Sequence, residues 1–162
     1  MATYQSLQMA VPRFPVSGPG IGGRSVKVER AVVDFSVLNG GNAQSVAIGD
    51  VIQLFKLHPK FRVMRGFVKV ETAAAASSTY TIGDAGVGGA AADPARFFAS
   101  ASAAAAGTNQ TLAETGRDFI SSPNTPGGKG QYTTVNMTWG GAASGTTGRI
   151  IVVLEGYIEE PA

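Results

Sequence analysis

Cysteine is absent from the 162 residues, so no disulfide, thiolate nucleophile or cysteine-ligated metal is available to this chain. Histidine occurs once, at His58, which excludes a metal site of several imidazoles and leaves a Ser-His-Asp arrangement no choice of base. Charged residues make up only 15% against roughly 25% in ordinary soluble domains, so Ser, Thr, Gly and Ala must cover much of the surface. Such a surface loses less hydration when pressed against another protein, which favours life in an assembly. The net charge is +2, but the 13 Lys and Arg residues stand singly rather than in stripes, and direct nucleic-acid binding is not expected. No run of some eighteen apolar residues occurs, and MATYQSLQMAVPRFPV lacks a charged stretch followed by an unbroken apolar one. Neither a membrane span nor a secretory leader is expected, and synthesis in the cytoplasm is.

What is present reads as strands. Phe61 to Thr72, FRVMRGFVKVET, alternates apolar and polar residues, but its phase reverses between Val63 and Val68. A β-bulge near Met64 to Gly66, placed at the glycine, accounts for the slip. The closing segment Arg149 to Glu159 puts Ile150, Val152, Leu154, Gly156 and Ile158 on one face, with Ile151 and Val153 on the other, the pattern of a central strand covered at least partly on both sides. Further strands are predicted over Val26 to Phe35, Val46 to Leu57 with a bend at Gly49-Asp50, Thr79 to Asp84, Arg96 to Ala101, a short one over Asp118 to Ser121, and Gln131 to Trp139. The short gap at His58-Pro59 suggests a hairpin into the Phe61 strand. The loop Gly140 to Gly148 suggests an antiparallel return. Ser100 to Gly107, SASAAAAG, is a loop or one helical turn, too short to nucleate more. About eight strands with no amphipathic helix of normal length define an all-β chain, an antiparallel β-sandwich of jelly-roll type. The expected organisation is an extended, Pro/Gly-rich arm over residues 1–25 and one sandwich domain over residues 26–160.

No catalytic constellation emerges. Gly18 to Gly23 satisfies G-x-G-x-x-G, but no strand precedes it and the residues after it, RSVKVERAVV, are strand-like, so no helix N-terminus would hold a pyrophosphate. Gly127-Gly128-Lys129-Gly130 has Pro123 where a phosphate loop needs glycine. It also has Gly130 where that loop needs a hydroxyl. His58 before Pro59 reads as a turn residue. The repeated Ile-Gly-Asp of Ile48 to Asp50 and Ile82 to Asp84 has too few carboxylates for a calcium loop and is better explained by turn chemistry. Trp139 lies on the apolar parity of its strand and reads as core. No catalytic, metal or cofactor-binding residue is assigned, and no cofactor is expected.

The succession Gly-Asp-Val-Ile-Gln-Leu (Gly49 to Leu54), Arg62-Val63 with the alternating valines after it, Tyr-Thr-Ile-Gly-Asp (Tyr80 to Asp84) and Thr-Trp-Gly-Gly-Ala-Ala-Ser-Gly-Thr-Thr-Gly (Thr138 to Gly148) before an apolar final strand resembles the small virion structural proteins of tailed phages. Among these are jelly-roll cement or decoration proteins. The resemblance covers about residues 45 to 158, and it implies a non-enzymatic protein on the capsid exterior that ties major capsid protein subunits together, as a homo-oligomer with a dimer favoured over a trimer. The arm lies outside the resemblance. Its singly spaced residues Met9, Val11, Arg13, Phe14, Val16 and Ile21 are the expected contacts to the capsid or to a neighbouring copy. The competing reading is a tail-fibre or host-recognition carbohydrate-binding sandwich stacking sugars on Trp139, Tyr80, Tyr132 or Tyr157. A hydrolase would need Asp34, Asp50, Asp84 or Glu155 to converge in one cleft.

Overall fold

A computed structural model describes residues 2–5, 26–38, 40–86, 91–107, 109–117, 119–120 and 132–158. The strands are β1 (Thr3–Gln5), β2 (Lys27–Asp34), β3 (Val51–Leu57), β4 (Phe61–Thr72), β5 (Thr79–Asp84), β6 (Asp93–Ser102), β7 (Asn109–Thr111), β8 (Thr133–Gly140) and β9 (Arg149–Ile158). A single 3-10 turn at Glu114–Gly116 is the one helical element among the described residues. A five-stranded sheet in the order β1-β3-β8-β5-β6 faces a four-stranded sheet in the order β2-β9-β4-β7. Apart from the parallel β1–β3 contact, all pairings are antiparallel.

From β2 to β9 only β5 and β6 are consecutive in sequence and adjacent in one sheet; every other connection crosses between the sheets. That alternation is what a jelly roll requires, and it confirms the predicted fold class. It also corrects two expected hairpins. β3 and β4 lie in opposite sheets, as do β8 and β9. Sheets about 10 Å apart can be bridged by as few residues as a hairpin loop, so the length of a gap does not choose between an arch and a hairpin. At the first arch Lys60 takes φ 63 and the Phe61 amide donates to His58 O at 3.0 Å. Leu57 and Phe61, one in each sheet, are both fully buried in the shared core. At the second arch Ser144 is buried. Its amide donates to Val46 O at 3.0 Å and its carbonyl accepts from the Ala75 amide at 2.9 Å, while its Oγ accepts from the Val46 amide at 2.9 Å.

The sheets meet over one apolar core. Ala31, Val33, Val68, Val70, Ile150, Val152 and Leu154 from the four-stranded sheet pack against Ile52, Leu54, Tyr80, Ile82, Val135, Met137 and Trp139 from the other. β4 spans the predicted Phe61 to Thr72, and its register shifts between Val63 and Arg65 against β9. The extra residue is therefore Met64, while Gly66 pairs regularly with Leu154. Sequence placed the bulge at the glycine; the structure places it two residues earlier, turning Met64 outward beside Arg65. β9 is central, between β2 and β4, and its second face buries Ile151 and Val153 in a small cluster with Val32.

The remaining differences are at the margins. Val46 to Asp50 is not strand, because Gly49 (φ 85) turns the chain before β3. β6 starts at Asp93 and continues to Ser102, so the alanine run supplies the end of a strand and a turn. Asn109–Thr111 was not anticipated; three polar residues show no period, and pairing with Phe67 to Lys69 of β4 decides their state. Of the short strand expected over Asp118 to Ser121, Ile120 bridges Arg62, and residues 118 and 121 lie outside the described residues. β1 falls within the segment expected as an arm, where it extends the five-stranded sheet as an edge.

Candidate functional site

Met9, Val11, Arg13, Phe14, Val16 and Ile21, together with Gly18 to Gly23 and Gly127 to Gly130, lie outside the described residues. The described side chains that could carry chemistry are each committed to structure. Asp34 accepts from the Ser36 amide at 3.0 Å and from its hydroxyl. Asp84 accepts from the Gly86 amide at 2.9 Å and pairs with Arg96, whose guanidinium also lies 4.8 Å from the centre of the Phe119 ring. Glu155 pairs with Arg65. His58 Nδ1–H donates to Pro59 O at 2.6 Å, and its ring meets Tyr132 edge-on. The four carboxylates that a hydrolase would have to bring together thus serve four separate local contacts. No group of three or more His, Asp or Glu suited to a metal occurs among the described residues.

Asp50 is the most connected of these groups. Its carboxylate accepts from the Ala2 amide at 2.6 Å and the Ala47 amide at 3.1 Å, and its backbone carbonyl accepts from the Trp139 amide at 3.0 Å. One residue therefore fastens the edge strand β1, the Gly49 turn and the end of β8. Ile48 to Asp50 forms the turn before β3, in line with turn chemistry, whereas Ile82 to Asp84 is the end of strand β5, so the turn reading fails there. The Ala2 amide, and less strongly the Ala47 amide, hold the Asp50 carboxyl below the usual carboxylate range, against the opposing effect of burial. A depressed folded-state value contributes stability that is fully present above the unfolded value of about 3.9 and is lost as pH falls through the folded one. Asp50→Asn is accordingly expected to destabilise the protein at pH 7 and to flatten its acid unfolding curve. Urea midpoints from pH 7 down to pH 2 check this, and parallel curves for the two proteins would refute it.

The aromatic residues proposed as sugar platforms divide. Trp139 and Tyr80 are both 1% exposed. Trp139 packs edge-on against Phe35 at 5.0 Å and donates from Nε1 to Ala142 O at 2.8 Å. Burial pushes the Tyr80 phenol up to about 12. Tyr157 is half-buried and Tyr132 exposed. A stacking surface of several rings does not form from these four residues.

Each sheet also presents an outward face. On the five-stranded sheet Gln53, Thr81, Thr134, Asn136 and Thr138 form a half-buried polar face, with Thr81 opposite Thr138, Asn136 between Gln53 and Gly83, and the exposed Lys56 registered against Thr134. On the four-stranded sheet Val32, Ile151 and Val153 form an apolar centre, with Arg30 registered beside Val153 and Lys69 beside Ile151. Sequence signalled this second face through the doubly apolar middle of β9. It could not show which neighbours would border it.

A jelly-roll sandwich with no convergent reactive groups among its described residues defines the class of fold. No protein family and no curated protein matches the sequence. Solved structures do match. A chain of the cyanophage Pam1 capsid asymmetric unit is 23% identical, with 93% of this chain and 96% of that one covered and a TM-score of 0.59. A chain of the capsid of Ralstonia phage GP4 is 17% identical, with 99% and 100% covered and a TM-score of 0.64. One of the acid-stable capsid of Helicobacter pylori bacteriophage KHP30 is 12% identical, with 85% and 92% covered and a TM-score of 0.56. At such identities the likeness establishes the shared fold over nearly the whole length of each chain.

Proposed function

We propose that this protein is a virion structural protein of a tailed phage. In this reading it binds the outer surface of the capsid and cements neighbouring major capsid protein subunits. The observation that carries the reading is that all three structural neighbours are chains of solved phage capsids and align over 92% or more of their own lengths. The charge-poor composition supports it, as does a fold in which Asp34, Asp50, Asp84 and Glu155 are each occupied by local structural contacts. The mechanism is area and multiplicity. Each contact of about 1,200–2,000 Å² is reinforced when an oligomer touches several subunits at once, and the protein is proposed to act as a homo-oligomer, a dimer rather than a trimer. The arm over residues 1–25 reaches a capsid subunit or a neighbouring copy through Met9, Val11, Arg13, Phe14, Val16 and Ile21.

The test is reconstitution. Shells assembled without this protein are mixed with the purified full chain and imaged by cryo-electron microscopy, and their thermal disruption is followed in parallel. Ordered density on the exterior at near-stoichiometric occupancy, with shells surviving to higher temperature, is expected. Absence of binding, or density confined to the tail, would refute the reading. Replacing residues 6–23 by a short flexible linker retains β1 and is expected to leave the sandwich folded while weakening shell binding by about tenfold or more, some 1.4 kcal/mol. Unchanged binding would remove the arm from the mechanism.

A further inference from the structure

Six large hydrophobic residues are exposed among the described residues, and their distribution is uneven. Val28 (57%), Met64 (50%) and Phe67 (44%) stand on the outer face of the four-stranded sheet, and Val26 (61%) immediately precedes β2 on the same parity as Val28. Ile48 and Tyr132 are the other two. Phe67 borders the cluster of Val32, Ile151 and Val153 directly, being registered against Val153; Val28 and Met64 lie one step further along the face, beside the Glu155–Arg65 pair, and Val26 lies beyond Val28. The bulge in β4 contributes directly, because the unpaired Met64 is the residue it turns out. Bulges recur where a strand must re-aim a side chain, and contiguous exposed apolar surface on a protein otherwise covered by small polar residues marks an interaction site.

Charge narrows the partner. Among the described residues the carboxylates on this face are each engaged, Glu155 by Arg65 and Glu71 by Arg149 as ion pairs, and Asp34 by hydrogen bonds from Ser36 that leave its charge in place. Arg30 and Lys69 flank the apolar centre from opposite sides, both exposed, and neither is ion-paired to a described residue. A second copy of this face would bring two more cations against one described carboxylate without an ion-pair partner, Asp34, so self-pairing is disfavoured. We infer that the outer face of the four-stranded sheet docks onto the capsid subunit, at a patch where apolar side chains are bordered by carboxylates that meet Arg30 and Lys69. This rests on the cement reading above and specifies the contacting face. Phe67 and Met64 fill the apolar part, while the two cations set orientation and make attachment salt-sensitive.

The test uses the full chain and shells assembled without it. Arg30→Glu/Lys69→Glu and Phe67→Ala should keep the wild-type melting temperature within a few degrees and lose shell affinity by about thirtyfold or more. Lys56→Glu/Arg117→Glu, the same charge change at exposed positions elsewhere, should bind as wild type does. Binding by wild type should weaken between 50 and 500 mM salt more steeply than that of the Arg30/Lys69 variant, in keeping with partial screening of the lost pairs. If the Arg30/Lys69 variant binds like wild type, the docking face is overturned and the cement reading stands. If the variant binds but sediments with an altered oligomeric state, the occupant is a second copy and the inference is likewise overturned. If wild-type protein does not bind the shells, the cement reading fails and this inference fails with it.

Discussion

Gly156→Val is expected to leave no folded protein at 25 °C, and Gly156→Ala to cost about 3 kcal/mol or more. Gly156 lies in β9, registered against Lys27 of β2 on one side and Val63 of β4 on the other. A Cβ at this position would sit 2.0 Å from Arg62 O and 2.8 Å from Phe61 Cε1. The obstacle is backbone, and β9 is held by hydrogen bonds along both edges, so neither strand can move aside without giving up ladder bonds. Ordinary overpacking costs about 1–3 kcal/mol. A backbone clash in a central strand belongs with the exceptional losses above about 4 kcal/mol, set against a total stability of roughly 5–15 kcal/mol. Gly40 provides the contrast, since its φ is 60 and nothing lies within 4 Å of its added Cβ. Gly40→Ala should lose only the backbone preference, about 1 kcal/mol. Urea unfolding followed by Trp139 fluorescence measures all three, and a Gly156→Ala variant within about 0.5 kcal/mol of wild type would show that β4 and β9 are not pinned as described.

The same residue shows how far sequence could go. Gly156 continues the inward parity of Ile150, Val152 and Leu154, so alternation alone placed it on the core side. That nothing larger fits depends on the approach of β4, which alternation does not encode. Strand existence was legible wherever one face is buried. Tyr80 and Ile82 of β5, Val135, Met137 and Trp139 of β8, and the limits of β4 follow from a period of two. The phase reversal in β4 signalled a bulge, although Gly66 drew it two residues away from Met64. Pairing was not legible. A three-residue gap between Leu57 and Phe61 fits a hairpin within one sheet or an arch between two, and only the joint burial of those side chains chooses the arch. β1 and β7 escaped because each has three residues and takes its state from a neighbour: β1 from β3 and the Asp50 carboxylate, β7 from β4. The proposed docking face was half legible. The doubly apolar centre of β9 announced an outward cluster, whereas the exposed rim of Val28, Met64 and Phe67 comes from strand order and the bulge.

Trp139→Ala is expected to cost about 3–5 kcal/mol, enough to bring a domain of ordinary stability close to unfolding. The indole is fully surrounded by core, in edge contact with Phe35, and such aromatic pairs add about 0.5–1.5 kcal/mol beyond the area they bury. Its Nε1–H also secures Ala142 O, at the start of the arch that Ser144 fastens to Val46 and Ala75. Truncation therefore removes volume from the centre and releases one end of the arch together. Trp139→Phe separates these effects, because it keeps an aromatic ring near Phe35 and loses the hydrogen bond, about 1–2 kcal/mol. Since both variants remove the only tryptophan, circular dichroism is the probe, with hydrogen exchange at the Val46, Ala75 and Ser144 amides reporting the arch. The result also bears on function. A tryptophan serving as a sugar platform is exposed, so its truncation would abolish glycan binding and leave the melting temperature nearly unchanged. A core tryptophan does the reverse, and a Trp139→Ala protein of wild-type stability would overturn both the packing described and the structural role it supports.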